Sequence, residues 1–279
     1  MEAAQTPPTG PAKTRHKVPV RRPGLSFDRV PRAWLGGNVF ATHMFNGLNF
    51  LFPEGERFFI KAVKDRLDRV DDPELVRQAR GFFGQEAQHA IEHEQYFDWL
   101  EAQGYEIQTF LRRFNFYVRL SNRILPAPLR LSITAAAEHY TATIGAAALV
   151  DDKLREIDPT MQQLIVWHAC EEVEHKAVAF DVLQATHPSY LLRVIGFFLA
   201  TATIVGWSAY GTHTLMRQEK MSRRARKRSR SDFDRAQNRD LERHIRRTLL
   251  RYFRPDFHPN DIDDLDLARE RLAEVGVAA

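Results

Sequence analysis

The 279-residue chain has a single cysteine, Cys170, so no disulfide can form within it. That suits a reducing compartment, and a cytoplasmic location is expected. Behind the basic residues of the N-terminus, MEAAQTPPTGPAKTRHKVPVRRPG, there is no apolar run, so a secretory signal is not expected. No stretch of useful length alternates apolar and polar residues with the period of a strand, which excludes a β architecture and leaves an all-α class. The chain also lacks Gly-x-Ser-x-Gly, and Cys170 has no basic neighbour beyond His168, so nothing points to a serine or cysteine nucleophile.

Charge is present but segregated. Residues 1–33 carry a net +5, residues 217–254 a net +10 and residues 255–279 a net −5, which leaves −6 for residues 34–216. The overall +4 therefore describes the flanks, which suit phosphate-bearing partners, and not the acidic body. Residues 1–33, rich in Pro, Gly and basic residues, read as extended or disordered. A bundle follows over residues 34–188. Its first helical stretch runs to about Val70, with a kink or a fresh start at Pro53. Asp72-Pro73 starts a second helix that reaches Gln103, and a shorter segment spans Ile107–Ile124. A third long helix runs from Leu129 to about Glu156, and Asp158-Pro159 starts a fourth that continues to about Ala185. Residues 189–216 read as one long apolar helix, and residues 217–279 as a solvated basic run, a short amphipathic helix from Asp232 and an acidic tail.

Two Glu-x-x-His sequences, Glu86–His89 and Glu172–His175, each place a carboxylate and an imidazole on one helix face. A two-metal carboxylate site in a four-helix bundle needs such a pair from two helices and one further glutamate from each of the other two. Glu56 lies thirty residues before the first pair and Glu138 thirty-four before the second. Each Asp-Pro start has its proline thirteen residues before the pair glutamate, so the chain repeats one unit: lone Glu, Asp-Pro, Glu-x-x-His. The sequence around these groups is apolar, where unpaired charges are costly and coordination removes the cost. His168, four residues before Glu172, shares its face and adds a nitrogen on one side only, since Phe82 stands at the matching place in the first half. His93 and His139 fit supporting or surface positions, and Glu171 and Glu174 fall off the ligand face, to be solvated or paired.

The segments FPEGERFF (52–59), QEAQH (85–89), AEHYT (137–141) and WHACEEVEHK (167–176) resemble the bacterial family described as predicted metal-dependent hydrolase, over about residues 30–215. The ligand spacing, including a histidine four before the last pair, is also similar to that of the diiron p-aminobenzoate N-oxygenases. These likenesses imply a ferritin-like bundle with Glu56, Glu86, His89, Glu138, His168, Glu172 and His175 as ligands of two metal ions. Iron is favoured; manganese and zinc accept the same donors. The expected function is dioxygen activation against a small organic substrate. Its rivals are hydrolysis by metal-activated water and non-enzymatic iron binding.

Between Arg193 and Arg217 there is no charged residue. At about 1.5 Å per residue this run matches a hydrocarbon core of about 30 Å, but its Ser, Thr and His residues make it only moderately apolar. The expectation is a helix that covers the bundle on one face and offers the other to lipid or to a second copy of the chain. Arg223, Arg224, Arg226, Lys227, Arg228 and Arg230 would meet anionic lipid heads at the inner face of the membrane. Nucleic acid is not expected, since no base-reading motif accompanies the run.

Overall fold

The computed structural model describes residues 16–236 and 239–276. Among them there is no strand. The elements are α1 (Val39–Asn49), α2 (Phe52–Lys64), α3 (Pro73–Ala102), α4 (Gln108–Ile124), α5 (Ala127–Val150), α6 (Pro159–His175), α7 (Val178–Thr186), α8 (Tyr190–Gln218), α9 (Arg223–Ala236), α10 (Arg239–Leu250) and α11 (Leu265–Glu274).

The helix starts follow from local chemistry. Asp72 and Asp158 each accept two backbone N–H groups of the first turn, and in each case proline follows at the first helical position, where its missing N–H costs nothing. Pro53 marks a fresh start: α1 ends at Asn49 and α2 begins at Phe52. Helices α2, α3, α5 and α6 surround the acidic centre, an arrangement that fits a ferritin-like bundle. Their apolar faces build two cores, one around Trp167, Tyr96 and Phe50 and one around Phe82, Leu131 and Tyr252.

Several boundaries differ from the sequence reading. Helix α5 stops at Val150 and not near Glu156, because Asp151 caps a following 3₁₀ turn through the Lys153 N–H. The expected single helix to Ala185 breaks after His175. There Lys176 is buried with its Nζ bonded to the carbonyl of Ile262 and to Asp264.

From His16 to the start of α1 the N-terminal segment has no helix and forms a strap packed against the bundle. The Gln78 and Gln85 amides donate to the carbonyls of His16 and Pro19 at 2.9 and 2.8 Å. Gly81 and Gly84 leave the room: a Cβ on either would stand 2.4 Å from the Val18 carbonyl oxygen or 2.3 Å from a Val20 methyl. Leu25, Phe27 and Val30 enter the core. Residues 1–15 lie outside the described chain.

Helix α8 is long and apolar enough to cross a membrane by length and composition. Here it lies along α1 and α5 in backbone contact. Gly211 meets Gly47, and Gly196 packs on Ser132 so closely that a Cβ would fall 2.1 Å from the serine oxygen. The basic run after it is not merely solvated. It forms α9, whose Ser229 carbonyl accepts the Asn38 amide at 3.0 Å and whose Phe233 packs edge-on against Phe40. The acidic C-terminal stretch also folds back, with α11 against α6.

Candidate metal centre

Glu56 comes from α2, Glu86 and His89 from α3, Glu138 from α5, and His168, Glu172 and His175 from α6. All seven are buried, none more than 6% exposed. The fold brings them together in overlapping groups, two of which contain His168, one with His89 and Glu172 and one with Glu56 and His93. Glu86, Glu138, Glu172 and His175 converge on one point, and Glu56, Glu86 and His89 on a second, with the offered atoms of each group within 4.8 Å of one another. His175 Nε2 stands 3.2 Å from both Glu86 Oε1 and Glu138 Oε2 and 3.5 Å from Glu172 Oε2. His89 Nδ1 stands 3.8 Å from Glu86 Oε2 and 3.7 Å from Glu172 Oε1. Glu86 and Glu172 thus lie between the two points. His168 joins the side of His89: its Nε2 is 2.8 Å from Glu172 Oε1 and 3.8 Å from Glu56 Oε1.

The donor atoms fit two cations. Both carboxylate oxygens of Glu56, Glu86 and Glu138, His89 Nδ1 and His175 Nε2 are buried without a hydrogen-bond partner. Such atoms are costly unless something binds them. Without metal the four carboxylates cannot all ionise. Burial, and then the charge of Glu86, pushes Glu56 and Glu138 well above the ordinary carboxylate range. Burial acts on Glu86 in the same direction, but the imidazoles of His175 and His89 beside it win and hold it low. Burial likewise opposes charge on His89, yet the hydrogen bond to Glu171 and the nearby Glu86 carboxylate raise it to about 10. Two divalent cations would carry the four positive charges that these four carboxylates lack, and would displace the protons from both imidazoles.

The opposite ring nitrogens are held by a continuous chain of side chains. His175 Nδ1 bonds Gln85 Oε1 at 2.8 Å, and Gln85 Nε2 donates to Glu174 Oε2 at 2.9 Å. Arg21 donates to both oxygens of Glu174 at 2.8 Å and to Glu171 Oε1 at 3.1 Å. Glu171 Oε2 then meets His89 Nε2 at 3.0 Å. The chain closes a loop from one imidazole to the other, fixing Nε2 of His175 and Nδ1 of His89 as the inward-facing nitrogens. Glu171 and Glu174 are therefore paired, as one branch of the sequence reading has it. They are buried and not solvated, because Arg21 and the strap cover them. Arg21 and Gln85 are the residues that sequence reasoning missed. The available signal was a pair of glutamates three apart on an otherwise apolar helix, which demands a cation.

His93 supports His168, with its Nε2 2.6 Å from His168 Nδ1. Burial, reinforced by the neighbouring His168, drives its pKa well down, so His93 is neutral. His139 faces away from the centre. Its Nε2 bonds the Thr248 carbonyl at 3.1 Å and its ring stacks on Tyr252. A cavity of about 160 Å³ reaches the centre at His168 and Glu172. Its wall is mainly aromatic and aliphatic, with Phe52, Phe58, Phe114, Ile133, Leu164 and Ile204 among its residues.

A family model described as predicted metal-dependent hydrolase matches residues 19–263. The chain belongs to that family. Neither a curated protein nor a solved structure matches it. The metal dependence in the family's description agrees with the buried Glu/His groups, and the matched span includes Arg21 and the strap as well as the four helices.

Proposed function

We propose that this member of the predicted metal-dependent hydrolase family holds two metal ions, iron by preference, and activates dioxygen to oxidise an organic substrate whose reacting part is apolar. The observation that carries this reading is the cavity. It ends at His168 and Glu172, and no lysine, arginine or aspartate lines it among the described residues. Several of its hydroxyls are already engaged: Tyr117 with Thr203, Tyr140 with Thr201, and Thr141 with Glu172. A substrate there would be held by shape and apolar contact, with little to recognise a carbonyl or phosphoryl group.

Glu56, His89 and His168 would hold one ion, Glu138 and His175 the other, and Glu86 and Glu172 both. When bound, iron would supply the electrons for dioxygen reduction, replenished by an external reductant. The chain's own residues exclude water, fix the imidazole tautomers and hold Glu172 through the Thr141 hydroxyl. With an ion at its Nε2, His168 would donate from Nδ1 to His93 Nε2, 2.6 Å away.

Hydrolysis by metal-activated water is the second reading, favoured by the family's description. The test is metal analysis of protein from iron-supplemented cells, with the optical spectrum and oxygen uptake after air meets the reduced form. Two irons per chain and oxygen uptake are expected. Zinc or manganese occupancy with anaerobic ester or phosphoester hydrolysis would replace the first reading with the second. Glu86→Ala and Glu172→Ala are each expected to lose at least one ion while the far-UV spectrum stays helical; full occupancy in both would remove the dinuclear assignment.

A further inference from the structure

The cavity and the outer surface above it are built by the same two helices. Phe114, Tyr117 and Val118 of α4 and Ala200, Thr203 and Ile204 of α8 line the cavity from above. The helices meet along a seam where Tyr117 Oη and Thr203 Oγ1 are 2.7 Å apart and Trp207 packs on Phe114 and Tyr117. The outer sides of both are apolar and uncovered. On α8, Leu191, Ile195, Phe198, Ala202, Val205 and Ala209 recur at alternating spacings of four and three and are all exposed. On α4, Phe116 is 62% exposed, and Leu120 and Ile124 continue its stripe one turn apart. Scattered exposed apolar residues are ordinary on a protein surface, but two adjoining stripes mark a surface that meets something apolar.

The charge beside this face names the partner. Helix α4 contains Arg112, Arg113, Arg119 and Arg123 and no acid. Helical spacing places Arg112, Arg119 and Arg123 on the flank turned away from α8, so they rim the apolar stripe. An amphipathic helix with a cationic rim is the pattern of a helix lying in the surface of an anionic bilayer. A second copy of the chain, docked face to face, would bring these arginines towards one another. Helix α9, which follows α8 in the chain, adds a further cationic surface, with Arg223, Arg224, Lys227, Arg228 and Arg230 exposed.

The size of the cavity adds a constraint. About 160 Å³ is close to the roughly 150 Å³ that accommodates a benzene-sized group. It takes the end of a hydrocarbon chain and not a whole amphiphile, so the rest of a longer substrate needs apolar surroundings outside. Resting on the dinuclear reading above, we infer that the substrate is a bilayer-resident molecule with an apolar chain, which enters tail first through the seam between α4 and α8 while its polar end stays near the arginine rim.

The experiment uses the full-length protein, metal-loaded, and three readouts: flotation with phosphatidylglycerol or phosphatidylcholine vesicles, saturable binding of cis-parinaric acid, and metal content. We expect flotation with the anionic vesicles only, weakened at least tenfold by Phe116→Asp with Phe198→Asp and by Arg119→Glu with Arg123→Glu. Thr203→Trp, which narrows the seam, is expected to lose parinaric acid binding while it keeps flotation and two metals. Should that variant misfold, Ile204→Trp serves the same purpose. A protein that holds two metals yet neither floats nor binds parinaric acid overturns the inference and leaves the dinuclear reading standing. One that floats and binds the probe without metal refutes that reading instead. A dimer in solution whose dissociation follows Phe198→Asp, with no flotation of the wild type, assigns the face to a second copy and also overturns the inference.

Discussion

The side-chain oxygen of Gln85 meets Nδ1 of His175 at 2.8 Å, across ninety residues of sequence. The amide oxygen can only accept, so the ring must carry its proton on Nδ1, and Nε2 is left to face Glu86 and Glu138. Replacing Gln85 with Leu removes that constraint and also the donor to Glu174. We expect metal affinity at the Glu138/His175 position to fall about 10–100-fold, measured by competition with a chromophoric chelator. Unchanged affinity would show that the ring is oriented by packing against Phe82 alone.

Arg21 bridges two buried carboxylates, Glu171 and Glu174. An Arg21→Met chain keeps much of the side-chain volume and leaves Glu171 and Glu174 facing each other without a cation. A loss of about 3–5 kcal/mol is expected, since removal of one partner strands a buried charge. The strap should also lift from the Gly81/Gly84 groove and become open to proteolysis near Val18–Arg22. Urea denaturation and limited proteolysis read the two effects; wild-type stability with a protected strap would refute the account.

The extra nitrogen of His168 serves one side of the centre. His168→Ala should weaken the position shared with Glu56 and His89 more than the one shared with Glu138 and His175. The two are separable by stepwise cobalt titration followed optically. His93→Phe should produce a smaller change of the same kind, because His93 reaches the site only through His168. Equal weakening of both positions in His168→Ala counts against direct ligation.

Cys170 is buried and its Sγ lies 2.9 Å from the Ala268 carbonyl. Burial, with the nearby Glu174 charge, pushes its thiol up to about 12, so the thiol stays protonated and unreactive in the folded chain at neutral pH. Iodoacetamide at pH 8 should leave the native protein unlabelled and modify it fully in denaturant. Rapid native labelling would mean that α11 detaches readily from α6.

The clustering of the candidate ligands was legible because their spacing is local. Three residues on one helix turn and thirteen residues from a capped proline are distances that a helix preserves, so Glu86/His89 and Glu172/His175 could be placed on faces before any fold was known. Arg21 could not. Its partners are 150 and 153 residues away, and in a segment rich in Pro and Arg nothing local distinguishes it from Arg22. The breaks at Val150 and His175 were missed for a related reason. Each depends on what the next segment does, a capped turn in one case and Lys176 reaching the returning C-terminal stretch in the other.

The strap also sets an order of assembly during synthesis. Its residues leave the ribosome before any of the helices, yet the groove they occupy needs α3, and the carboxylates that hold Arg21 belong to α6. Until Glu174 has emerged, Arg21 has no anchor and the inward nitrogens of His89 and His175 have no fixed direction. A nascent chain should therefore capture metal only after translation has passed α6, with the strap among the last segments to settle. A bulky domain fused directly before His16 would act on that closing step, slowing the maturation of the centre without touching any of its ligands.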